Sequence, residues 1–177
     1  MNTKYFPKLK VTYIAIIFIA TSATLASSNA LAHGDINDSS TISTSDWITW
    51  GEVVHGGFGT HIALGIRIGK DALHRLNAKR RDVEVTVTEG AHSPCACLAD
   101  GITLVTAASA GQRSLTIAPK ASDDSFMTLI EIRKKRTGHV LNYRIPASAI
   151  APLGNMNIGK SPQERFDLVM AMPVESL

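Results

Sequence analysis

Two histidines flank a glycine-rich segment in the first half of the chain. The residues from His55 to His61 are His-Gly-Gly-Phe-Gly-Thr-His. Imidazole is a frequent metal ligand in proteins, and glycines let such a loop fold around an ion or let an anion approach the helix N-terminus that follows. The pattern therefore predicts either a loop that binds a metal or an anion, or a plain glycine-rich turn with two incidental histidines.

The two cysteines of the chain are separated by a single residue. Cys95 and Cys97 follow Ser93 and Pro94, a pair typical of the N-cap and the first position of a helix. Side chains two residues apart in a helical turn point apart, so a disulfide between them would be strained and easily reduced. A helix N-terminus lowers a thiol pKa and favours the thiolate, which is the form that binds metal. Metal ligation and a labile disulfide are both open.

Acidic and basic residues near the cysteines could assist either chemistry. Glu89 and His92 precede the cysteines, and Asp100 follows Cys97 by three residues on the same helix face. A carboxylate in that position can orient a metal ligand from behind, or it can hold local helix structure. Arg113 could bind a carboxylate or a phosphate through two parallel hydrogen bonds, or it could lie exposed at a strand edge. These four residues are the candidates for supporting a ligand or contacting a substrate.

Hydrophobic periodicity predicts the elements that position these residues. A helix from about His61 to Ala78 is apolar nearly all round in its first half, which is typical of a buried helix, and Gly65 and Gly69 give it a face that another element can approach closely. Residues 82–88 alternate with period two, which is typical of a half-buried strand. The other predicted elements are a short helix capped by Asp46, a helix from about Pro94 to before Gly111, strands over 113–118, 126–133 and 139–145, and a last helix opened by the capping box at Ser161 and ending near Met170.

The order of these elements predicts a single α+β domain. A mixed or antiparallel sheet is expected to pack with the buried helix after the glycine-rich loop and with a second helix after the cysteine turn. Residues 33–45 are polar and short of apolar side chains, which is typical of a flexible arm. The domain is therefore expected to cover residues 46–177.

The first 32 residues have the zones of a secretory signal peptide. Three lysines precede an apolar run from Val11 to Ala20, and Ala30-Leu31-Ala32 forms a small-residue cleavage site. The apolar run is about half of the roughly 20 residues that a membrane-spanning helix needs. We therefore expect cleavage after Ala32, a periplasmic or secreted protein, and no stable membrane anchor in the mature chain.

Removal of that segment changes the charge balance of the protein. The whole chain has 18 Lys and Arg against 15 Asp and Glu, and the charged residues of the segment 1–32 are three lysines. The remaining 145 residues carry 15 of each sign, a net charge of zero, which argues against a nucleic-acid or acidic membrane partner. The basic run 133–136 lies beside Thr137-Gly138 and is predicted to be a solvated hairpin tip. A small-molecule partner and a homodimer are both left open.

Over about residues 47–145, the chain resembles the N-terminal domain of the FmdE family, which is named for a component of formylmethanofuran dehydrogenase. That family begins with a segment like H-G-H-x-C-P-G-x-A-x-G-x-R that runs into a helix, and His55-Gly56 and Ala63-x-Gly65-x-Arg67 fit it. A later family segment has a cysteine shortly before an Asp, then a helix and a T-G-C-T-like turn. It is similar to Cys97-Leu98-Ala99-Asp100 and to residues 106–111. The downstream hairpin of the family is similar to residues 126–145.

The departures from the family pattern fall among its metal-binding residues. The second histidine and the first cysteine of the pattern fall on Gly57 and Gly59, and the later cysteine falls on Ala108. From the resemblance we expect this chain to be a member without the zinc-finger tail of longer family members. The resemblance therefore implies that His55, Cys97 and Asp100 carry over from the metal-binding pocket.

Two neighbouring residues, His61 and Cys95, could replace the lost ligands. A set of His55, His61, Cys95 and Cys97 would supply nitrogen and sulfur donors suited to zinc or another divalent transition metal. The predicted function is an exported metal-binding domain, catalytic if one coordination position stays open. The alternatives are a metal-free module that binds a small molecule through the glycine-rich loop, Arg113 and the helix N-termini, and a thiol redox protein. Formylmethanofuran dehydrogenase activity is not expected of this chain alone, because two cysteines cannot hold a four-cysteine iron–sulfur cluster.

Overall fold

The computed structural model describes residues 41–173. The predicted signal peptide and residues 33–40 lie outside the described residues. The first helix, α1, covers Thr44–His55, and its N-cap is Ser43 rather than the predicted Asp46. Asp46 is the third helical residue, where its carboxylate accepts a hydrogen bond from the backbone N–H of Ser43 in a capping box. The helix therefore begins inside the segment that the sequence assigns to the arm.

Two buried helices cross at a pair of glycines. Helix α2 covers Thr60–Arg75, and helix α3 covers Cys97–Thr106. A Cβ atom on Gly65 would overlap the carbonyl oxygen of Leu98, and a Cβ atom on Gly101 would overlap the backbone of α2. The two backbones can approach this closely because neither glycine has a side chain. The prediction that the Gly65 face of α2 packs closely against another element is confirmed, and that element is α3.

A four-stranded mixed sheet of the described residues packs with these helices in one hydrophobic core. Its strands are β1, Val83–Glu89; β2, Leu115–Ile117; β3, Phe126–Lys134; and β4, Val140–Pro146. The order is β2-β1-β3-β4, with β1 and β2 parallel and the other neighbouring pairs antiparallel. The alternating pattern of β1 places three valines on one face of the strand, and all three, Val83, Val85 and Val87, are buried. The predicted α+β domain with a mixed sheet is confirmed.

The chain runs from β1 through α3 to β2, which lies parallel to β1. A parallel pair needs a crossover of this kind, so the turn between β1 and α3 lies at the carboxyl end of β1. In open sheets with such connections, ligands bind near the carboxyl ends of the strands, where helices begin. Cys95 lies in this turn and Cys97 is the first residue of α3. The topology therefore positions both cysteines at an edge that is suited to binding.

The β3–β4 hairpin turns at Thr137 and Gly138, as predicted, and Gly138 has a positive φ of 73°. The basic run beside this turn is only partly solvated. Lys134 is 8% exposed, and its Nζ atom donates to the carbonyl oxygens of Leu76 and Asn77. These carbonyls follow the C-terminal end of α2, where a cation is favourable. The prediction of a solvated hairpin tip is therefore wrong for Lys134.

Three short helical segments complete the described chain. A 3₁₀ turn covers Ala147–Ala149, α4 covers Ile150–Asn155, and α5 covers Pro162–Met170. The last helix begins with the predicted capping box at Ser161, whereas α4 was not predicted from the sequence. Within residues 41–173, no helix has the length and apolar character that crossing a membrane requires.

Candidate functional site

An open cleft lies where the end of α1, the start of α3 and strand β2 meet. Its volume is about 280 Å³. The residues that line it are His55, Cys95, Ala96, Cys97, Ala99, Asp100, Leu115 and Ile117. Four of them, all with side chains that could bind or support a metal, are candidates from the sequence. The fold thus brings residues from three separate segments of the chain to one cleft.

The imidazole of His55 and the carboxylate of Asp100 are in direct contact. His55 Nδ1 lies 2.7 Å from Asp100 Oδ2, and the two side chains are 33% and 39% exposed. Helix α1 ends at His55 because Gly56 adopts the left-handed conformation, with φ 86°. A carboxylate beside Nδ1 favours the tautomer that carries its hydrogen on that atom, which leaves the Nε2 lone pair available to bind a ligand.

Cys95 and Cys97 are joined by a disulfide, with their Cα atoms 5.3 Å apart. Of the two alternatives that the sequence left open, the structure has the disulfide. The predicted helix start at Ser93 and Pro94 is wrong, because α3 begins at Cys97 with Ala96 as its N-cap. The hydroxyl of Ser93 donates to the carbonyl oxygen of Cys95 over 3.3 Å instead of capping a helix. Cys95 therefore lies in a turn, where helical geometry does not hold its side chain away from that of Cys97.

The donor atoms in the cleft depend on the state of this disulfide. With the disulfide formed, residues 41–173 contain no group of three or more His, Cys, Asp or Glu side chains that could hold a metal ion. With both sulfurs reduced, the cleft would offer one imidazole nitrogen and two thiolates, which are donor types that zinc prefers. The chemistry of the donors therefore fits a transition metal in the dithiol state.

His61, the fourth ligand that the sequence predicts, is not among the residues that line this cleft. It lies in the first turn of α2, and its Nε2 atom is buried with no hydrogen-bond partner. Burial lowers the pKa of its imidazole, which favours the neutral form. The structure thus brings three of the four predicted ligands to one cleft and does not bring His61 to its lining.

The remaining candidates, Glu89, His92 and Arg113, do not line the cleft either. Glu89 is the last residue of β1 and pairs with Thr128 in the sheet. His92 is exposed in the turn after β1, and Arg113 is exposed before β2 with a positive φ of 54°. Asp100 is therefore the one of the four supporting candidates that contacts a predicted ligand.

The glycine-rich loop lines a second concavity of about 390 Å³, to which Asn157 and Arg165 also contribute. Arg165 donates to the carbonyl oxygens of Phe58, at 2.8 Å, and of Asn157, at 3.0 Å. The side-chain oxygen of Asn157 accepts the backbone N–H of Thr60 at 3.1 Å. The N-terminus of α2 is therefore capped by the protein itself. The sequence did not point to Asn157 or Arg165, because no local pattern marks them. They lie 97 and 107 positions after their respective partners, Thr60 and Phe58.

The architecture and the cleft define a small α+β domain whose candidate site lies at the start of the helix that crosses from β1 to β2. The sequence profile of the family described as "FmdE, Molybdenum formylmethanofuran dehydrogenase operon" matches residues 54–167, more than half of the chain. The chain belongs to this FmdE family. The match includes His55 and the residues 95–100, and it extends beyond the range of the predicted resemblance into α5. No curated protein matches the chain.

Proposed function

We propose that this FmdE-like protein is exported and binds a transition metal ion, zinc first among them, in the cleft between α1 and α3 when its disulfide is reduced. The ligands would be the Nε2 atom of His55 and the thiolates of Cys95 and Cys97. Asp100 would support the imidazole of His55 from behind. His61, which does not line the cleft, is left out of the ligand set.

The observation that carries this proposal is the contact between His55 and Asp100 in a cleft that Cys95 and Cys97 also line. Histidines that bind metals generally donate their other ring N–H to a carboxylate, a carbonyl or water, which fixes the ring. The distance of 2.7 Å between Nδ1 and Oδ2 supports that role for Asp100. One imidazole and two thiolates would also leave a fourth position for water or a substrate, as in catalytic zinc sites. A metal bound there would supply Lewis-acid chemistry.

The apolar wall of the cleft would give a small-molecule substrate a surface to contact. Leu115 and Ile117 come from the edge strand β2, and Ile117 is 46% exposed. Ala99, on helix α3, also lines the cleft. A substrate with both a polar group and an apolar part fits a cleft that is lined by polar and apolar side chains.

Elemental analysis of the purified protein tests the proposal. After anaerobic reduction, exposure to zinc and removal of unbound ions, wild-type protein should retain about one zinc per chain. Cys97→Ser and His55→Ala should retain much less, because each removes one of three ligands. The matched control is His74→Ala, since His74 is exposed on α2 and lines neither cleft. Absence of stoichiometric zinc in reduced wild-type protein would overturn the proposal.

Export is the part of the proposal that rests on residues 1–32. Cleavage after Ala32 predicts that the protein recovered from cells begins at His33, which N-terminal sequencing or the intact mass would reveal. A chain that retains its first 32 residues and remains in the cytoplasm would contradict export but would leave metal binding open to the elemental analysis above.

Thiol–disulfide exchange is a second candidate, favoured by a disulfide that lines an open cleft. A thiolate of an incoming dithiol would attack one sulfur, the S–S bond would break, and the other sulfur would leave as a thiolate. The second thiol of the co-substrate would then attack the mixed disulfide as its thiolate. This attack would release the reduced cysteine pair and leave the co-substrate as a disulfide. Rapid exchange in a protein that holds no zinc in either state would favour this function over metal binding.

A further inference from the structure

A third cleft, of about 360 Å³, lies between helix α2 and the edge strand β4. The residues that line it are Arg67, Ile68, Asp71, Arg75, Asn142, Tyr143 and Arg144. None of them lines the proposed metal cleft or the concavity at the glycine-rich loop. Any ligand of this cleft would therefore bind at a separate site.

The lining of this cleft carries an excess of positive charge. It has three guanidinium groups and one carboxylate, a formal excess of two positive charges, whereas the chain after residue 32 is neutral overall. Arg67, Asp71 and Arg75 follow one another at intervals of four residues, so they lie on one face of α2. A concave surface with an excess of one sign attracts ligands of the opposite sign.

The single carboxylate in the cleft already has protein partners. Asp71 Oδ2 accepts a hydrogen bond from the hydroxyl of Tyr143 at 2.6 Å and one from Arg75 at 3.3 Å. Burial, and after it the hydrogen bond and charge of Asp71, raises the pKa of Tyr143, so its hydroxyl remains protonated and continues to donate. Asp71 therefore serves to hold Arg75 and Tyr143 in the cleft while its charge is partly compensated.

The guanidinium groups are oriented by the protein but keep hydrogen-bonding capacity. Arg67 donates from one nitrogen to the carbonyl oxygen of Val169 at 2.8 Å, and Arg144 donates from one nitrogen to Ser125. A guanidinium carries five N–H donors, so each group can still donate to an oxyanion. Orientation by a protein acceptor reduces the entropy that an arginine loses when it binds a ligand.

The geometry points to a second binding site in this cleft, for a small anionic molecule that presents a carboxylate or phosphate group to Arg75 and Arg67. Oxyanions match the planar donor fork of arginine. The amide of Asn142 adds a neutral polar group at the strand side. This inference does not rest on the metal proposal, and the two can fail independently.

Titration of the purified, isotope-labelled protein with citrate and with inorganic phosphate, followed by NMR at low ionic strength, tests this inference. Saturable shifts are expected for the amides of residues 67–75 and 142–144. Saturation by citrate alone would identify a carboxylate ligand, saturation by phosphate alone a phosphate ligand, and saturation by both a general oxyanion site. If neither anion gives saturable shifts at these residues, the inference is overturned.

Two substitutions of opposite sign make the test specific. Arg75→Gln removes one positive charge from the lining and should weaken binding about fivefold or more. Asp71→Asn removes the negative charge but keeps an amide oxygen that can accept the hydrogen bonds of Arg75 and Tyr143, so it should tighten binding. Arg136→Gln, at an exposed position outside the cleft, is the matched control and should leave the affinity unchanged. Equal weakening by Arg75→Gln and Arg136→Gln would contradict a defined site. If the Arg75→Gln protein is unstable, the anion affinity of Asp71→Asn still tests the inference. Tighter binding than wild type supports the site, and unchanged or weaker binding contradicts it.

Discussion

The contact between His55 and Asp100 joins two residues that are 45 positions apart in the chain. Each lies at a helix end whose position follows from local chemistry. Gly56 ends α1 in the left-handed conformation, and the turn closed by the Cys95–Cys97 disulfide precedes α3. The imidazole and the carboxylate meet because the two helices pack against each other.

Substitution of Asp100 by Asn should weaken zinc binding by the reduced protein. The amide would remove the negative charge behind His55 while preserving the size of the side chain. Loss of a partner of this kind costs about 10–100-fold in metal affinity. Competition with a chromophoric chelator measures the affinity, and Asp124→Asn, at an exposed loop position, is the control. Equal affinities in wild type and Asp100→Asn would contradict the supporting role of this carboxylate.

Arg165 is predicted to stabilise the glycine-rich loop, because its side chain binds the carbonyl oxygens of Phe58 and Asn157. Arg165→Ala should lower the free energy of unfolding by about 1.5–3 kcal/mol, the range for hydrogen bonds that involve a charged group. Arg136→Ala removes an exposed arginine and should change the free energy of unfolding by less than about 0.5 kcal/mol. Denaturant unfolding compares the two, and similar losses would show that the bonds of Arg165 contribute nothing specific.

At the scale of the elements, the crossing of α2 and α3 is set by two glycines. Gly65 and Gly101 face each other, and the added Cβ at either position would meet backbone atoms rather than a side chain that could move. The same crossing fixes where α3 begins relative to α2. Because Asp100 precedes Gly101 and Cys97 opens α3, the crossing also positions the candidate site.

Gly101→Ala should therefore destabilise the fold. The new methyl group would overlap the carbonyl oxygen of Ile62, and separation of the two helices would cost about 1–3 kcal/mol or more. Gly154→Ala is the matched control, because a Cβ at Gly154 meets no atom within 4 Å and the residue lies in helix α4. It should be neutral or stabilise by up to about 1 kcal/mol. A Gly101→Ala protein as stable as the Gly154→Ala protein would refute the close crossing.

Elements with a clear period or cap were predictable, and elements defined by distant contacts were not. The alternation of β1 and the capping box of α5 are local signals, and both elements form close to the predicted positions. Ser93 and Pro94 also have the local signal of a helix start, but Ser93 is buried and its hydroxyl bonds within the turn. Helix α4 has six residues, including Pro152 and Gly154, so it lacks the length that makes a period visible.

At the scale of the whole molecule, the candidate site combines local and distant information. The types and spacing of His55, Cys95, Cys97 and Asp100 mark them in the sequence, and the family resemblance also points to His55, Cys97 and Asp100. The sequence could not reveal that His61, only six residues from His55, would be excluded from the lining of their cleft. It also offered no signal for the apolar wall at Ile117, because that wall depends on the parallel pairing of β2 with β1.

The two proposed sites lie at different edges of the sheet. The proposed metal cleft opens at the β2 edge of the sheet, and the proposed anion cleft opens at the β4 edge. The first depends on sulfur and imidazole donors, and the second on guanidinium groups. The match to the FmdE family spans residues 54–167, which include the residues that line both clefts. A variant that loses zinc binding is therefore expected to bind anions as the wild type does, and a variant that loses anion binding is expected to bind zinc as the wild type does.

The central proposal is that the metal site forms only when the two cysteines are reduced and bind the ion together with His55. The most direct test divides one preparation of wild-type protein into an oxidised portion and an anaerobically reduced portion. Competition with a chromophoric chelator then measures the zinc affinity of each portion. We expect about one tightly bound zinc per reduced chain and no comparable binding by the oxidised chain. Equal zinc binding by both portions, or none by the reduced portion, would contradict a site completed by the two thiolates.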